Sequence, residues 1–401
     1  MSSFRKTSRS RFWRGALVLL GVIFAIDIIR LSWNGSHRHP NTSIGIPTPT
    51  PSIYIASIFW NSAAILHSNW NNAILDLAEK LGADNIYISI YESGSWDESK
   101  QILRQLESVL INRGIRHRII LDEITHQDDI ARPPAAEGWV KTPRGMTELR
   151  RIPYLSKLRN KTLEPLAELA ANGTTFDKVL FLNDVAFTIQ DVWNLLATNN
   201  GDFAAACSLD FSKPPKFYDT FALRDIEGHE RLMMTYPYFR SRESRSAMVS
   251  HRPVPVQSCW NGMVAFDSSP FYRASPLRFR GISDSLAIHH LEGSECCLIH
   301  ADNPQSPLKG VWLNPNVRVG YDPNAYAVVH TMEPWPSLYD RLIGLWENRI
   351  RRWVTTVWFK EWVVRNRIKK WAKEDRNRRE SGPHCLINEM QVLVYNGWAH
   401  V

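Results

Sequence analysis

The chain has 401 residues, of which 44% are hydrophobic and 22% charged, so it can bury one large core or two closely joined lobes. Its net charge of +8 is concentrated in two basic segments, residues 5–14 and 349–379, and no nucleic-acid recognition motif accompanies it, which argues against a nucleic-acid-binding protein. Five cysteines without a Cys-x-x-Cys pair argue against a cysteine metal site, and their odd number leaves at least one thiol outside any intramolecular disulfide.

The first predicted element is an apolar helix near the N-terminus. Residues 1–14 form a basic tail, and the apolar stretch over 15–33 is interrupted by Asp27. We predict an uncleaved signal-anchor that crosses the membrane once, followed by a Pro-, Ser- and Thr-rich stem over 34–52. A cleaved signal peptide and a buried helix are the alternatives. The domain after the stem would then be lumenal, in agreement with four N-x-S/T sequons, at Asn34, Asn41, Asn160 and Asn172.

Strand and helix patterns alternate after the stem. The apolar runs predict strands over 53–59, 85–92 and 117–121, with helices over 70–81 and 95–113 between them. This alternation is typical of a parallel sheet with right-handed crossovers. A long helix over 151–171 then precedes a fourth strand. We predict one α/β domain over 53–340, with a mostly parallel central sheet flanked by helices.

The fourth strand ends in two polar residues. In the segment VLFLNDVAF (179–187), Asn183 and Asp184 directly follow four apolar strand residues. Ligands of open α/β sheets bind outside the carboxyl ends of the strands. Carboxylate oxygen is the ligand that Mg²⁺ and Mn²⁺ prefer, although a single acid at a strand end also serves as a loop or helix cap. Asp184 is therefore the predicted ligand of a divalent cation, Mn²⁺ or Mg²⁺.

Five segments taken together resemble a known family. They are LRNKTLEPL, VLFLNDVAF, YDTFALRDIEG, VQSCWNGMVAFD and SECCLIHAD, which follow one another within residues 53–335. The chain resembles the fungal capsule-associated α-1,3-mannosyltransferases, the cryptococcal mannosyltransferase family, which is glycosyltransferase family 69. The resemblance implies a GT-A-like nucleotide-sugar fold, GDP-mannose as the donor, a divalent cation and retention at the anomeric carbon.

The resemblance also implies the metal ligands. GT-A enzymes usually carry Asp-x-Asp where this chain has Leu182-Asn183-Asp184, so the last acid is present and the first is absent. Asn183 would replace the first acid in its contact with the nucleoside as a neutral hydrogen-bonding group. A C-terminal histidine often supplies the last ligand in GT-A folds, which implies His330, and a satisfied structural histidine is the alternative.

Further polar residues are candidates for binding the donor and the acceptor. Guanidinium groups on the helix before the metal strand can pair with phosphate in bidentate fashion, and polar groups in loops and turns can hold sugar hydroxyls. Each also has a structural interpretation, as a surface arginine, a plain ion pair or a core tryptophan. The candidates are Arg151, Arg159, Asp210, Asp219, Arg224, Trp260 and Asn261.

A retaining transferase needs a group on the reactive face of the sugar. A carboxylate there can stabilise an oxocarbenium-like transition state or act as a nucleophile. Glu295 is the first candidate and Asp302 the second, both in the SECCLIHAD segment, and Asp225 is a third.

The C-terminal region, residues 341–401, combines a basic amphipathic helical pattern with a tail. Apolar residues recur at helical spacing between arginines and lysines, at Trp346, Ile350, Trp353, Val354, Val357 and Trp358. We expect this helix to pack on the domain by its tryptophan face. Contact with anionic lipid headgroups or with an acidic glycan is the alternative.

Together these features predict a retaining mannosyltransferase of the Golgi membrane, a single-pass type II protein that forms an α-1,3 linkage on a mannose-containing glycan. A non-catalytic family member that assists polysaccharide assembly or export is the alternative, because the first acid of the metal motif is absent. Another alternative keeps catalysis and changes the donor, for example to UDP-xylose or UDP-galactose.

Overall fold

The computed structural model describes residues 3–36, 50–331 and 334–401, so most of the predicted stem lies outside the described residues. The N-terminal part is an alternation of strands and helices, as predicted. After α1 (Ser3–Ser36), its elements are β1 (Ile53–Phe59), α2 (Ala63–Ile65), α3 (Asn71–Leu81), β2 (Ile86–Ser93), α4 (Ser99–Asn112), β3 (His117–Asp122), α5 (His126–Ala131), β4 (Trp139–Lys141), β5 (Thr147–Leu149), α6 (Arg151–Lys161), α7 (Glu164–Ala171) and β6 (Lys178–Leu182).

The remaining elements are shorter and less regular. They are α8 (Ile189–Leu196), β7 (Ala205–Lys213), β8 (Lys216–Phe217), β9 (Arg224–Asp225), α9 (Arg242–Val249), β10 (Val254–Ser258), β11 (Met263–Asp267), α10 (Asp284–Ala287), β12 (Glu292–Gly293), α11 (Glu295–Asp302), α12 (Ser306–Lys309), β13 (Val311–Gly320), α13 (Pro323–Val329), α14 (Leu338–Val354), α15 (Val357–Glu374), β14 (Leu386–Ile387), β15 (Gln391–Val394) and β16 (Gly397–His400).

One predicted helix is divided in the structure. The helix expected over 151–171 ends at Lys161 and restarts at Glu164, as α6 and α7. Pro165 lies in the first turn of α7. It has no amide hydrogen to donate, and its ring clashes with the carbonyl four residues earlier, so one continuous helix is disfavoured there.

A mixed sheet forms the centre of the domain. Its strand order is β3-β2-β1-β6-β11-β7-β13-β10-β9, and β8 pairs with β7. The strands β3, β2, β1 and β6 are parallel, whereas β11 is antiparallel to both neighbours. Successive residues face opposite layers: Tyr54 joins one buried apolar cluster and Ile55 the other. The predicted α/β class with a largely parallel sheet is thus confirmed, and the carboxyl ends of β1 and β6 adjoin.

The predicted signal-anchor over 15–33 is not supported. Among the residues that the structure describes, no helix combines the length and the apolar character that a bilayer crossing requires. The helix α1 instead contacts α14. Asp27, which interrupts the apolar run, is buried, and its carboxylate accepts a hydrogen bond from Arg349 Nη1 at 2.9 Å. The Leu31 carbonyl accepts one from Arg341.

The C-terminal amphipathic helix is also divided, into α14 and α15. Its tryptophan face was expected to pack on the domain, and for four of the six predicted residues this is wrong. Ile350, Trp353, Val354 and Trp358 are exposed instead. Packing is carried by other positions of α15, such as Val364 and Trp371, which are buried in an apolar cluster with Leu286 and Leu298.

Two disulfides connect segments that are distant in sequence. Cys207 of β7 bonds to Cys259, and Cys297 of α11 bonds to Cys385 near the C-terminus. Cys296 is a buried free thiol. This agrees with the odd number of cysteines, which leaves at least one thiol outside any intramolecular disulfide.

Candidate active site

Asp184 lies in the crevice between the ends of β1 and β6. Its carboxylate accepts a hydrogen bond from Ser62 Oγ at 3.2 Å, and Ser62 follows β1. The residue is partly accessible, yet burial of the carboxyl raises its pKa to about 6, against a smaller lowering from the Ser62 hydrogen bond and the positive charge of Arg159. A carboxylate whose charge is poorly solvated at the end of a strand favours a cationic ligand.

Asn183 acts as a link between elements. Its side-chain oxygen accepts a hydrogen bond from Trp260 Nε1 at 3.1 Å, and its carbonyl accepts one from Trp70 Nε1 at 3.2 Å. Its backbone amide donates to the Gly262 carbonyl at 2.9 Å. The amide oxygen predicted to contact the nucleoside is therefore already occupied by an indole, and a second acid at this position would add negative charge beside Asp184.

Two further acids lie near Asp184. Asp210 of β7 is fully buried; its carboxylate accepts hydrogen bonds from the Asp219 amide and from Tyr321 Oη, each at 3.0 Å. Burial, together with the negative charge of Asp219, raises the pKa of Asp210 to about 7. Burial also raises the pKa of Asp219, which is partly accessible. Burial raises the pKa of the Tyr321 phenol, and the negative charges of Asp184, Asp210 and Asp219 raise it further. The three acids therefore lie close enough to one another to interact through their charges.

The turn at Asn261 and Gly262 closes the floor of the crevice. Both residues have positive φ, 51° and 80°. A Cβ on Gly262 would lie 2.6 Å from Val319 Cγ2 and 3.1 Å from Asp210 Cβ, so only glycine fits this position. Asn261 Nδ2 donates to the Asp219 carbonyl at 3.3 Å. The predicted turn thus holds the loop that carries Asp219.

The buried side chain of Arg159 pairs with Glu295, the first candidate for the reactive face of the sugar. Arg159 of α6 donates from Nε to Glu295 Oε1 at 3.1 Å, and its guanidinium lies 4.5 Å from the centre of the Trp260 ring. Glu295 is 2% exposed. Its charge is therefore matched within the protein, and its carboxylate is enclosed rather than open to a sugar.

Arg151 is the more accessible arginine of α6. Its Nη1 donates to Gln391 Oε1 at 2.6 Å, and its guanidinium lies 3.8 Å from the ring centre of Trp398. The negative charges of Glu295 and Asp219 oppose the lowering of its pKa by burial, which places this cation near the acids of the crevice.

Two other predicted residues organise loops. The Arg224 guanidinium is buried and donates to four backbone carbonyls, those of Phe221, Leu223, His384 and Cys385. Asp225 is buried and accepts hydrogen bonds from the amides of Glu227, His229 and Ser241. Neither an ion pair between Arg224 and Asp225 nor an opening toward a sugar is found for these two described residues.

Asp302 and His330 also bind elsewhere. Asp302 accepts a bidentate pair of hydrogen bonds from Arg280, at 2.6 and 3.0 Å. The His330 imidazole contacts the Tyr326 carbonyl through Nδ1 at 2.9 Å and lies 3.5 Å from Asp191 through Nε2. The structure therefore does not bring His330 to Asp184, because α13 packs its end against α8.

Several residues of the crevice escaped the sequence patterns. Ser62 and Tyr321 have no motif around them, and Gln391 and Trp398 come from the C-terminal hairpin β15–β16, far from Arg151 in sequence. Tyr218 adjoins the predicted Asp219, is 48% exposed and has its pKa raised by burial and by the charges of Asp210 and Asp184. Of these residues, only Tyr218 could have been found from the sequence, because it directly precedes the candidate Asp219.

An aromatic rim, defined as Trp60, Trp96, His126 and Tyr395, adjoins the crevice. Trp60 stacks on His126 with ring centres 4.3 Å apart, and the half-exposed Trp96 stacks on Tyr395 at 5.1 Å. The Trp96 amide donates to Asn61, next to Ser62. Among the described residues, Trp60 Nε1 and His126 Nδ1 are buried without a hydrogen-bond partner. The rim therefore exposes aromatic surface at Trp96 and Tyr395, beside the segment that precedes Ser62.

The acids of the crevice fit a cation that arrives with its substrate. In the described part of the chain, sets of three possible ligand atoms within 4.8 Å of one another occur twice, at Cys207, Cys259 and His300 and at Cys297, His384 and Cys385. All four cysteines are in disulfides. Asp184 belongs to neither set, so the crevice supplies separate carboxylates rather than a closed cage. Mg²⁺ sites of this kind use one or two carboxylates together with substrate phosphates.

Several solved structures match the chain at low identity and low structural similarity. A mannosyltransferase from Pyrobaculum calidifontis in complex with GDP-Man and Mn²⁺ is 12% identical, with a TM-score of 0.37 over 92% of this chain and 77% of that one. S. aureus TarS 1-349 is 10% identical, with a TM-score of 0.37 over 83% and 77%. Glucosyl-3-phosphoglycerate synthase from Mycobacterium tuberculosis is 15% identical, with a TM-score of 0.32 over 79% and 85%. Likenesses at this level carry no argument about the donor or the metal.

The family comparison is more specific. No curated protein sequence matches the chain significantly. A sequence profile of the family described as Cryptococcal mannosyltransferase 1 matches residues 52–302, which include β1, Asp184, Asp210, Asp219 and Glu295. The match spans more than half of the chain. It includes the crevice residues up to Glu295 but not Tyr321 or the C-terminal hairpin β15–β16. The chain therefore belongs to the cryptococcal mannosyltransferase family, a family of glycosyltransferases.

Proposed function

We propose that this protein transfers mannose from GDP-mannose to a mannose-containing glycan, with retention and in α-1,3 linkage. The observation that carries the proposal is the position of Asp184, a partly accessible carboxylate just after β6, in a group of charges with Asp210, Asp219 and Arg151 that all act on the Tyr218 phenol. A leaving diphosphate needs positive charge at such a crevice, and the family membership makes mannose the sugar that we propose.

Asp184 would hold the divalent cation, Mn²⁺ or Mg²⁺, which stabilises negative charge on a departing diphosphate when it is bound. Arg151 would pair with a phosphate oxygen, because a guanidinium suits bidentate contact with phosphate. Its contacts with Gln391 and Trp398 fix the direction of the side chain.

Asp219 is the carboxylate that we assign to the reactive face of the sugar. Glu295 was the first candidate, but it is enclosed and paired with Arg159. Asp219 is partly accessible and is held by the Phe221 and Ala222 amides at 3.2 and 3.3 Å. Its negative charge would stabilise positive charge that develops at the anomeric carbon. Glu295 would act indirectly, by holding Arg159 against Trp260.

The aromatic rim would bind the nucleobase. Trp60 follows β1, Trp96 follows β2 and His126 follows β3, and the exposed rings of Trp96 and Tyr395 supply stacking faces. Stacking of a base on aromatic side chains is worth about 1–3 kcal/mol per base. We assign the base of GDP to these faces.

The test is transfer by the full chain with labelled GDP-mannose, Mn²⁺ and an α-mannobiose acceptor, with the linkage and anomeric configuration read by NMR. We expect an α-1,3 product. Asp184→Ala should abolish metal-dependent transfer while the circular dichroism spectrum is unchanged. Asp202→Ala is the matched control, because Asp202 is an exposed acid that precedes the first residue of β7, Ala205. Full activity of Asp184→Ala would exclude the metal role.

A non-catalytic role in polysaccharide assembly is the second candidate. The observation that favours it is Asn183, a neutral residue whose side-chain oxygen is occupied by Trp260. Folded protein that neither transfers nor hydrolyses any donor would support this role. Thermal shifts across GDP- and UDP-linked sugars would identify a different donor, since a ligand that binds only the folded state raises its stability.

We also propose the Golgi as the location, with the active site in the lumen. The two disulfides support an oxidising compartment. Imaging of a tagged full chain beside Golgi markers tests this.

A further inference from the structure

The junction of α14 and α15 carries a large exposed apolar surface. Within residues 350–362, six large apolar side chains are between 50% and 72% exposed: Ile350, Trp353, Val354, Trp358, Phe359 and Trp362. These six residues are named the tryptophan patch. Phe359 lies against both Trp358 and Trp362, with ring centres 6.1 and 5.8 Å apart. Large exposed apolar surface usually marks an interaction site in a soluble protein.

The surroundings of the tryptophan patch are strongly basic. Residues 349–373 contain nine lysines and arginines and one acid, Glu361. Glu361 faces the domain, because its carboxylate contacts Arg240 at 3.0 Å and His229 at 2.7 Å. Arg365 and Lys369 are exposed and follow Trp358 and Trp362 at helical spacing on one face of α15. The surface that faces outward is thus aromatic and cationic.

The helices behind the patch are fixed to the domain. Val364 and Trp371 of α15 are buried in an apolar cluster with Leu286 and Leu298, and Asn348 Nδ2 of α14 donates to the Phe239 carbonyl at 3.1 Å. The patch is therefore a preformed surface that needs no rearrangement to become available.

The neighbouring helix α1 also exposes apolar residues. It contacts α14 through Phe24 and Trp346, whose ring centres are 6.0 Å apart. Leu17, Val18 and Leu19 of α1 are between 61% and 67% exposed. Apolar surface is thus present on both of two helices that pack together.

We propose that the tryptophan patch docks the protein on the surface of an anionic lipid bilayer. Indole rings prefer the interfacial zone of a membrane, and lysine and arginine beside them are attracted to anionic headgroups. A second copy of the chain would bring like charges together, whereas an anionic bilayer complements both the apolar and the cationic parts. This proposal concerns peripheral contact and rests on the exposed surface alone, so it is independent of the transferase function and of the proposed location.

The test is co-flotation of the full chain with vesicles. We expect binding to phosphatidylcholine vesicles that contain about 30% phosphatidylserine to exceed binding to pure phosphatidylcholine by on the order of tenfold or more, since each basic residue near an anionic surface strengthens binding. Salt at about 1 M should remove most of this difference because it shortens the screening length to about 3 Å.

The triple variant Trp353→Ser, Trp358→Ser, Trp362→Ser should reduce binding to anionic vesicles on the order of tenfold or more. Lys360→Glu with Arg365→Glu and Lys369→Glu should abolish the preference for anionic lipid. The matched control is Ile111→Ser with Leu308→Ser, two residues that are 64% and 77% exposed outside the patch. Because α1 is intact in every variant, a loss is assigned to the patch.

Equal binding of the triple variant and the unchanged protein would overturn the proposal, as would absence of binding to anionic vesicles. A dimer in light scattering that the triple variant abolishes, without vesicle binding, would identify a second copy as the partner instead. Circular dichroism and thermal unfolding without added nucleotide check that each variant is folded, so failure here is separate from failure of the proposed transferase function.

Discussion

Asp184 and Asp210 are carboxyl groups in surroundings that disfavour their charged forms. Burial raises their pKa to about 6 and about 7, and the Asp219 charge adds to the shift of Asp210. Between the ordinary pKa of 3.8 and these values, the folded protein holds protons that the unfolded chain has released. The contribution of these groups to stability is therefore present at low pH and is lost as pH rises through 7.

Replacement of Asp210 by Asn tests this linkage. The variant removes the titrating group, so its free energy of unfolding relative to the unchanged protein should rise by ~1–4 kcal/mol from pH ~5 to pH ~8 in metal-free buffer. Thermal unfolding at several pH values measures the difference. Asp202→Asn, an exposed acid, should show little change, and a pH-independent difference for Asp210→Asn would contradict the assignment.

Two of the sequons differ sharply in accessibility. Asn160 is tied to Phe279, because its Nδ2 donates to the Phe279 carbonyl at 2.8 Å and its Oδ1 accepts from the Phe279 amide at 2.9 Å. Asn172 is exposed at the end of α7. Expression in a secretory host should therefore give a glycan at Asn172, and Asn172→Gln should remove a mobility shift that Asn160→Gln leaves in place. A glycan mapped to Asn160 in folded protein would contradict this placement.

At the scale of elements, the turn before β11 is the least tolerant part of the site. Gly262 has positive φ, and a Cβ there would clash with Val319 and approach Asp210. Gly262→Ala should cost ~2–4 kcal/mol, the sum of the left-handed backbone cost and overpacking. Urea unfolding measures it, and loss of GDP binding should accompany it.

Gly114→Ala is the matched control for this prediction. Gly114, which follows the end of α4, also has positive φ, 65°, but a Cβ there meets no heavy atom within 4 Å. It should show only the backbone cost, ~1–2 kcal/mol. Equal losses at the two glycines would mean that the crevice floor relaxes around the added methyl group.

At the scale of the whole molecule, the C-terminal segment completes the site. The Cys297–Cys385 disulfide and the contacts of Arg224 with the His384 and Cys385 carbonyls attach this segment to the domain, and β15–β16 then places Gln391 and Trp398 on Arg151. The double variant Cys297→Ser, Cys385→Ser should lose ~2–5 kcal/mol of stability. Thermal unfolding measures this, and a non-reducing peptide map without the Cys297–Cys385 link in the unchanged protein would contradict the pairing.

The local pattern predicted the α/β class and the ends of β1, β2 and β3 to within a residue or two, because apolar strand runs and glycine helix ends are local signals. It also placed Asp184 at the end of a strand. Pattern length misled at the predicted 151–171 helix, where Pro165 divides it, and at 15–33, where no membrane-crossing helix is supported.

The sequence alone determined that Asp184 stands at the end of a strand and that the segments around it resemble one family. Only the tertiary structure decided which of the other candidates stand beside it. Asp210, Asp219 and Arg151 gather near Asp184, whereas His330 contacts Asp191 and Asp302 contacts Arg280. The physical reason is that a side chain's partners are set by strand order and helix packing, which join residues such as Arg151 and Gln391 across 240 positions of the chain.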